Sequence, residues 1–221
     1  MNEQPLDRPP RIWKTDSRSP DLETITQAAS LLNAGGIVIY PTETFYGLGG
    51  VPSLESAVER ICMAKGREER KPLPLIASNV GCVLQAVADW PTVAARLAEA
   101  FWPGPLTLVL HAVSEIPYRV HGGTGKIAVR VSSHPVARAL AEATGGMVIS
   151  TSANFSGESP VQDADQISPA LLSLVDGMLI AGKTGSQWGY LPTTIVDVCS
   201  PRPRLVRAGC LPWKAIEAYL V

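Results

Sequence analysis

The sequence predicts an α/β fold, with one mixed β-sheet covered by helices. Three observations predict it. Short apolar runs of strand length alternate with segments of helical period. The links between them are short. Glycine and proline, 19 residues each, gather at the joints, as turns require.

Residues 1–18 are polar and contain proline without an apolar period, so they read as a flexible N-terminal extension to a domain over 19–221. A helix then follows. Pro20 suits its first turn, Asp21 and Glu23 sit near its positive end, and Leu22, Ile25, Ala29 and Leu32 keep helical spacing up to Gly35-Gly36. IVIY (37–40) is a buried strand running into PTETFYGLGG. A second helix, with a capping box from Ser56 to Glu59 or a cap at Ser53, ends near KGREERKP.

PLIA (74–77) is the next strand, Pro91–Phe101 a helix, and LTLVLH (106–111) and IAVRV (127–131) two more strands. His134–Ala143 is helical and stops at a Gly-Gly pair. MVIS (147–150) opens into TSANFSG, a helix lies within 163–175, and MLIA (178–181), TTIVDV (193–198) and RLVR (204–207) are strands. A last helix follows Pro212.

Net charge is −1, which excludes a protein that wraps nucleic acid with a large Lys/Arg excess. Four scattered cysteines and three histidines have no zinc-site spacing, and no protein-bound metal site is expected. No run reaches the ~18 apolar residues of a membrane helix, and the N-terminus has no secretory core. A cytoplasmic location is expected.

The chemistry gathers where polar, glycine-rich runs follow apolar strands, because ligands of α/β sheets bind at strand ends. PTET follows IVIY, and STSAN (150–154) offers hydroxyls, an amide and backbone donors in what reads as one turn. On composition alone, an ordinary Ser/Thr/Asn turn with local capping bonds is the simpler account of that stretch. Lys65 and Arg67 end a helix, where cations meet the macrodipole or clamp a phosphate.

Arg130 interrupts an apolar strand and shares a face with Ala128, opposite Val129 and Val131. Its charge needs either a partner carboxylate or an anion. Arg207 ends another strand. Trp102 and Tyr46 read as packing residues, and His111 and His134 as satisfied surface or capping residues. The GxxxxGK[ST] loop, a convincing GxGxxG and the GxSxG elbow are all missing from the sequence, so a nucleotide site must be built otherwise.

Seven runs in order, GGIVIYPTETFYGLGG, KGREERKPLPL, WPGPLTLVL, IAVRVSSHPVARAL, STSANFSG, TTIVDV and LVRAG, resemble the YrdC/TsaC family of threonylcarbamoyl-AMP synthases. The family's Lys-x-Arg and Ser-x-Asn pair stands here as Lys65/Arg67 and Ser152/Asn154. The resemblance implies a twisted mixed sheet flanked by helices, with a concave, positively charged cleft. It implies that L-threonine, bicarbonate or CO2, and ATP become threonylcarbamoyl-AMP and pyrophosphate, with Mg2+ carried in on ATP. A tRNA threonylcarbamoyl transferase complex would use the product on ANN-reading tRNAs, with at most a weak tRNA contact here.

By motif, Lys65, Arg67, Ser152 and Asn154 would be catalytic, holding the carbamate and phosphates. Thr42, Arg130, Ser150 and Thr193 would bind threonine, with Arg130 on its carboxylate. Thr107 and Arg207 would line the nucleotide pocket. Glu68 stands where the family often has proline, PLPLIAS lacks a histidine that several members carry, and a lid from a second domain is not expected. The rival readings are an RNA-binding module on the same fold, a related carbamoyl-transfer module of the kind found inside larger maturation proteins, and a paralogue without synthase activity.

Overall fold

The computed structural model describes residues 8–66, 71–185 and 187–220. In chain order the strands are β1 Arg11–Lys14, β2 Val38–Pro41, β3 Tyr46–Gly49, β4 Leu75–Ala77, β5 Leu106–His111, β6 Lys126–Val131, β7 Met147–Ile149, β8 Thr151–Ser152, β9 Gly177–Ile180, β10 Thr194–Asp197 and β11 Arg204–Arg207. The helices are α1 Leu22–Asn33, α2 Glu55–Lys65, α3 Val80–Ala86, α4 Thr92–Phe101, α5 Tyr118–His121, α6 Pro135–Ala143, α7 Pro169–Leu172 and α8 Trp213–Glu217.

These strands form two sheets where one was expected. A five-stranded sheet runs β1-β9-β2-β3-β8 and a six-stranded sheet runs β11-β10-β5-β6-β4-β7, each mixing parallel and antiparallel pairs. Apolar periodicity marks which residues are strand but not which strands pair, so the split leaves no trace in it. The element that reveals it, β3, is YGLG, which reads as a turn because glycine weakens a strand. At Gly49 the glycine is needed: an added Cβ would lie 2.5 Å from the Ile149 carbonyl oxygen and 2.6 Å from Tyr40 Cε1.

The N-terminal extension is likewise not loose throughout. Arg11–Lys14 pairs in parallel with β9 and closes that sheet's edge. Period 2 is invisible in RIWK because most of it is exposed on an edge strand.

α1 forms because Ile25, Ala28, Ala29 and Leu32 fall on one buried face, and Asp21 caps it by accepting the Thr24 N–H at 2.8 Å. Leu22, expected on that face, is 78% exposed, since it opens the helix one turn ahead of the contact. α2 has Leu54 at its N-cap with no side-chain cap, so neither Ser53 nor Ser56 serves there. It ends where Gly66 turns left-handed at φ 57°, leaving Lys65 as the last helical residue. The helix sought within 163–175 is a 3-10 turn, Ala164–Gln166, followed by the short α7.

One large core fills the space between the two sheets and helices α2 and α4, joining Leu48, Ile61, Leu97, Leu108, Val129 and Val196. A second core packs α1 and α6 over Val38, Ile76, Val148 and Leu179. Trp102 and Tyr46 are packing residues as read, with Trp102 Nε1 donating to the Leu106 carbonyl at 2.6 Å. The decisive feature for the site is Ser150. It joins β7 in one sheet to β8 in the other, so the segment after it lies where the sheets meet.

Candidate active site

A cavity of about 700 Å³ opens between the sheets. Its floor is one face of β5, β6 and β10. The β2–β3 turn, residues 150–154 and the start of β11's bulge wall it. Of the ten residues that the motifs single out, eight line this one cavity: Thr42, Thr107, Arg130, Ser150, Ser152, Asn154, Thr193 and Arg207. Lys65 does not line it, and Arg67 lies outside the described residues.

Arg130 occupies the face that alternation assigns to it, beside Ala128, while Val129 and Val131 enter the core. Both accounts of its charge hold at once. Its Nε donates to Glu43 Oε1 at 2.8 Å, and the two residues are 4% and 7% exposed. Glu43 Oε2 accepts a further bond from the Ser132 hydroxyl. The terminal nitrogens Nη1 and Nη2 make no hydrogen bond to any described residue, so the planar fork faces the cavity. Glu43 is the functional residue the sequence reading missed. It sits inside PTET, and a carboxylate between two threonines next to a buried strand was the available signal.

Across the floor, Arg207 Nη2 donates to Thr193 Oγ1 at 2.8 Å, and its Nε and Nη2 donate to the Thr193 carbonyl at 3.1 and 2.9 Å. The Thr193 and Thr107 hydroxyls lie 3.0 Å apart. Either hydroxyl can donate to the other, so the guanidinium and the two threonines form one connected hydrogen-bonded group on the cavity floor. The protein packed around the Arg207 guanidinium lowers its pKa, and the charge of Arg130 adds to that; the residue's outer surface stays in solvent. Two like charges sensing each other across an open space favour an anion between them.

Thr42 lines the cavity, but its hydroxyl is engaged locally: it donates to the Phe45 carbonyl at 2.7 Å and accepts from the Thr44 N–H at 3.2 Å. It therefore fixes the turn and retains little donor capacity. The STSAN stretch is not one turn. Thr151 and Ser152 pair with β3, and only then does the chain bend. Asn154 Nδ2 donates to the carbonyls of Phe155 and Glu158, both at 2.8 Å, while its Oδ1 is buried without a partner. Lys65, 3% exposed, reaches this segment from behind: its ammonium donates to the Ser152 carbonyl and, at 2.6 Å, to that of Asn154. Lys65 thus braces the carbonyls of the 150–154 segment from the end of α2.

The described lining holds Lys126, Arg130 and Arg207 against Glu158 and Asp197, an excess of one positive charge. The cleft is concave, and its cations are individually paired rather than massed. His134 departs from its reading as a satisfied residue. Its backbone N-caps α6, yet the side chain makes no cap bond and Nδ1 is buried without a partner. Burial lowers its pKa to about 4, with Glu43 opposing and Arg138 reinforcing that shift. Among the described residues no group of three His, Cys, Asp or Glu side chains assembles as a metal-ligand set, and no helix is long and apolar enough to cross a membrane.

The fold and cavity define an α/β protein with a cavity between two sheets lined by guanidinium, hydroxyl and backbone groups. Residues 30–209 match the Sua5/YciO/YrdC family model, described as "Telomere recombination", and the chain belongs to that family. It is 47% identical over 143 residues to the threonylcarbamoyl-AMP synthase of Alkalilimnicola ehrlichii, covering 65% of this chain and 74% of that one. It is 41% identical to the synthase of Halorhodospira halophila, covering 78% and 89%. P. abyssi Sua5 complexed with L-threonine superposes with TM-score 0.88 at 32% identity, covering 94% of this chain; the chain spans 60% of that protein's length. E. coli YciO gives TM-score 0.85 at 29% identity, covering 94% and 99%.

Proposed function

We propose that the protein is an L-threonylcarbamoyladenylate synthase, converting L-threonine, bicarbonate or CO2, and ATP into threonylcarbamoyl-AMP and pyrophosphate. The observation that carries this is the Arg130 fork, locked by Glu43 at its Nε and open to a cavity shared with Thr107, Thr193 and Arg207. Similarity to the named synthases supports the same reading.

In this reading Arg130 grips the threonine carboxylate through both terminal nitrogens. Ser150, Ser152 and the open edge of residues 150–154 hold the carbamate that forms when the threonine amine adds to CO2. A carbamate oxygen attacks the α-phosphorus, the bond to the bridging oxygen breaks, and pyrophosphate leaves with its charge. Thr193 contacts the threonine, Thr107 and Arg207 stabilise the phosphoryl oxygens, and Arg67 takes the leaving phosphates. Lys65 braces the segment carrying Ser152 and Asn154. Positioning and fixed charge supply the rate, with no covalent intermediate.

Mg2+ arrives with ATP as part of the substrate. The product passes in the cytoplasm to a tRNA threonylcarbamoyl transferase complex, with at most a weak tRNA contact on this chain. Incubation with labelled threonine, bicarbonate and ATP tests the reading. Threonine-dependent pyrophosphate and a labelled adenylate are expected. Folded protein that binds RNA, or binds nothing, yet releases no pyrophosphate refutes it.

A further inference from the structure

The ion pair between Arg130 and Glu43 is one-sided, and the cause lies one step outside the cavity. A carboxylate facing a guanidinium tends to close two parallel bonds onto it. Here it closes one. Glu43 Oε1 accepts from Arg130 Nε at 2.8 Å, while Oε2 is taken by the Ser132 hydroxyl. Were Oε2 to join the guanidinium, it would occupy a terminal nitrogen that now faces the cavity. The fork would then offer an incoming carboxylate one arm instead of two.

Ser132 is what holds Oε2 away. It directly follows the last residue of β6 and is 0% exposed. Residues two apart on an extended chain leave on the same face. Arg130 and Ser132 therefore both reach the β2–β3 turn, and each takes one oxygen of Glu43. The serine is itself fixed. Its Oγ accepts the His134 N–H at 3.1 Å, which leaves its single proton for Glu43 Oε2. Its carbonyl accepts from Arg138 Nη1 at 3.0 Å, which ties the residue to α6.

We propose that Ser132 is a positioning residue that keeps the Arg130 fork open. By holding Glu43 Oε2 it limits that carboxylate to one bond with the guanidinium and leaves Nη1 and Nη2 for the carboxylate of the amino-acid substrate. The inference rests on the reading that Arg130 receives threonine. Ser132 does not line the cavity, so its effect passes through Glu43. Without the hydroxyl, Glu43 pivots about Oε1, Oε2 closes on the fork, and the protein's own carboxylate competes with the ligand's.

Calorimetric titration of the full chain with L-threonine and, separately, with ATP tests it in wild type, Ser132→Ala, Glu43→Gln and the double variant. In Ser132→Ala the threonine Kd rises about tenfold, while the ATP Kd stays within about twofold of wild type. In the Glu43→Gln background the same serine substitution changes the threonine Kd by less than about twofold, because the group it releases is an NH2, which cannot accept from a guanidinium. A serine that merely packs would cost the same in both backgrounds.

An unchanged threonine Kd in Ser132→Ala overturns the proposal, as does an equal loss in both backgrounds or a matching loss of ATP affinity. Should Ser132→Ala not fold, Ser132→Cys is read through the same cycle, since it nearly keeps the shape and exchanges a strong donor for a weak one. A rise in threonine Kd that vanishes with Glu43→Gln supports the assignment. No rise, or the same rise in both backgrounds, overturns it. Wild type that binds threonine without releasing pyrophosphate sinks the synthase reading while the cycle still decides the role of Ser132. Wild type that does not bind threonine sinks both.

Discussion

Replacing Glu43 by glutamine removes a charge from the most buried ion pair of the site and turns the oxygen that accepts from the Ser132 hydroxyl into an NH2 group. The side chain keeps its length, and one oxygen still accepts from Arg130 Nε. What is lost is the counter-charge to a guanidinium that is 4% exposed. Leaving a buried charge uncompensated costs about 3–5 kcal/mol when no water reaches it, and the cavity admits some water here, so about 3 kcal/mol is the expected loss. For a chain of this size that corresponds to a fall in Tm of roughly 6–12 °C.

The second half of the prediction separates structure from function. A guanidinium without its carboxylate binds an incoming anion more strongly, so saturating threonine should raise the Tm of Glu43→Gln by more than it raises wild type. Glu43→Ala, which also loses the acceptor that orients the fork, should show a smaller threonine-induced rise than wild type. Thermal unfolding followed by circular dichroism, with and without threonine, reads all three. A Glu43→Gln protein melting within about 2 °C of wild type, or gaining nothing from threonine, would refute the reasoning.

Three further outcomes are expected. Lys65→Met, which fills the same space but withdraws the ammonium from the Ser152 and Asn154 carbonyls, should lower kcat/KM at least about tenfold, measured by pyrophosphate release; a rate near wild type removes Lys65 from the machinery. Gly49→Ala should destabilise by about 3 kcal/mol or more in urea titration, because the new methyl meets the backbone oxygen of Ile149 and the ring of Tyr40, and neither can move away; a loss under about 1 kcal/mol contradicts that packing. His134 has a depressed pKa of about 4 when folded against an ordinary value of 6.5, so the unfolded chain binds the extra proton first. Its contribution is intact above pH 6.5 and lost as pH falls toward 4, by about 3 kcal/mol at the limit, and His134→Gln should flatten that part of the stability profile relative to wild type.

Much of this was legible in the sequence, for identifiable reasons. β5 and β6 stand out because strands of a covered sheet are largely apolar runs, and Arg130 is conspicuous as an interruption in one. The partners of that arginine were not legible. Glu43 is 87 residues away, and only the pairing of β2 with β3 brings its turn over β6. Lys65 shows the converse: the sequence marks it as a helix end, which it is, but its bonds to the Ser152 and Asn154 carbonyls depend on where α2 stops relative to β8, and no local pattern encodes that. Propensity assigns the glycines of YGLGG to a turn; at Gly49 the close approach of the Ile149 carbonyl and the Tyr40 ring requires glycine within β3.

The pairing of nearly every cation in the site has a physical consequence for the proposed chemistry. A carbamate in water loses CO2, so the groups that receive it must be in place before it forms. A bare lysine or arginine in a cavity moves, recruits counter-ions and has to be desolvated again in each cycle. Here Arg130 is held by Glu43, Arg207 by Thr193, Lys126 by Asp197 and Lys65 by two carbonyls, so the cost of orienting each charge was met when the chain folded. The same pairing moderates the field. An excess of one positive charge over the described lining attracts a polyphosphate less tightly than massed cations would, which allows pyrophosphate to leave and the adenylate to be handed on. If fixation rather than net charge carries the rate, raising ionic strength should change nucleotide KM far more than kcat, because screening acts on encounter with the open cleft and hardly on groups locked inside it.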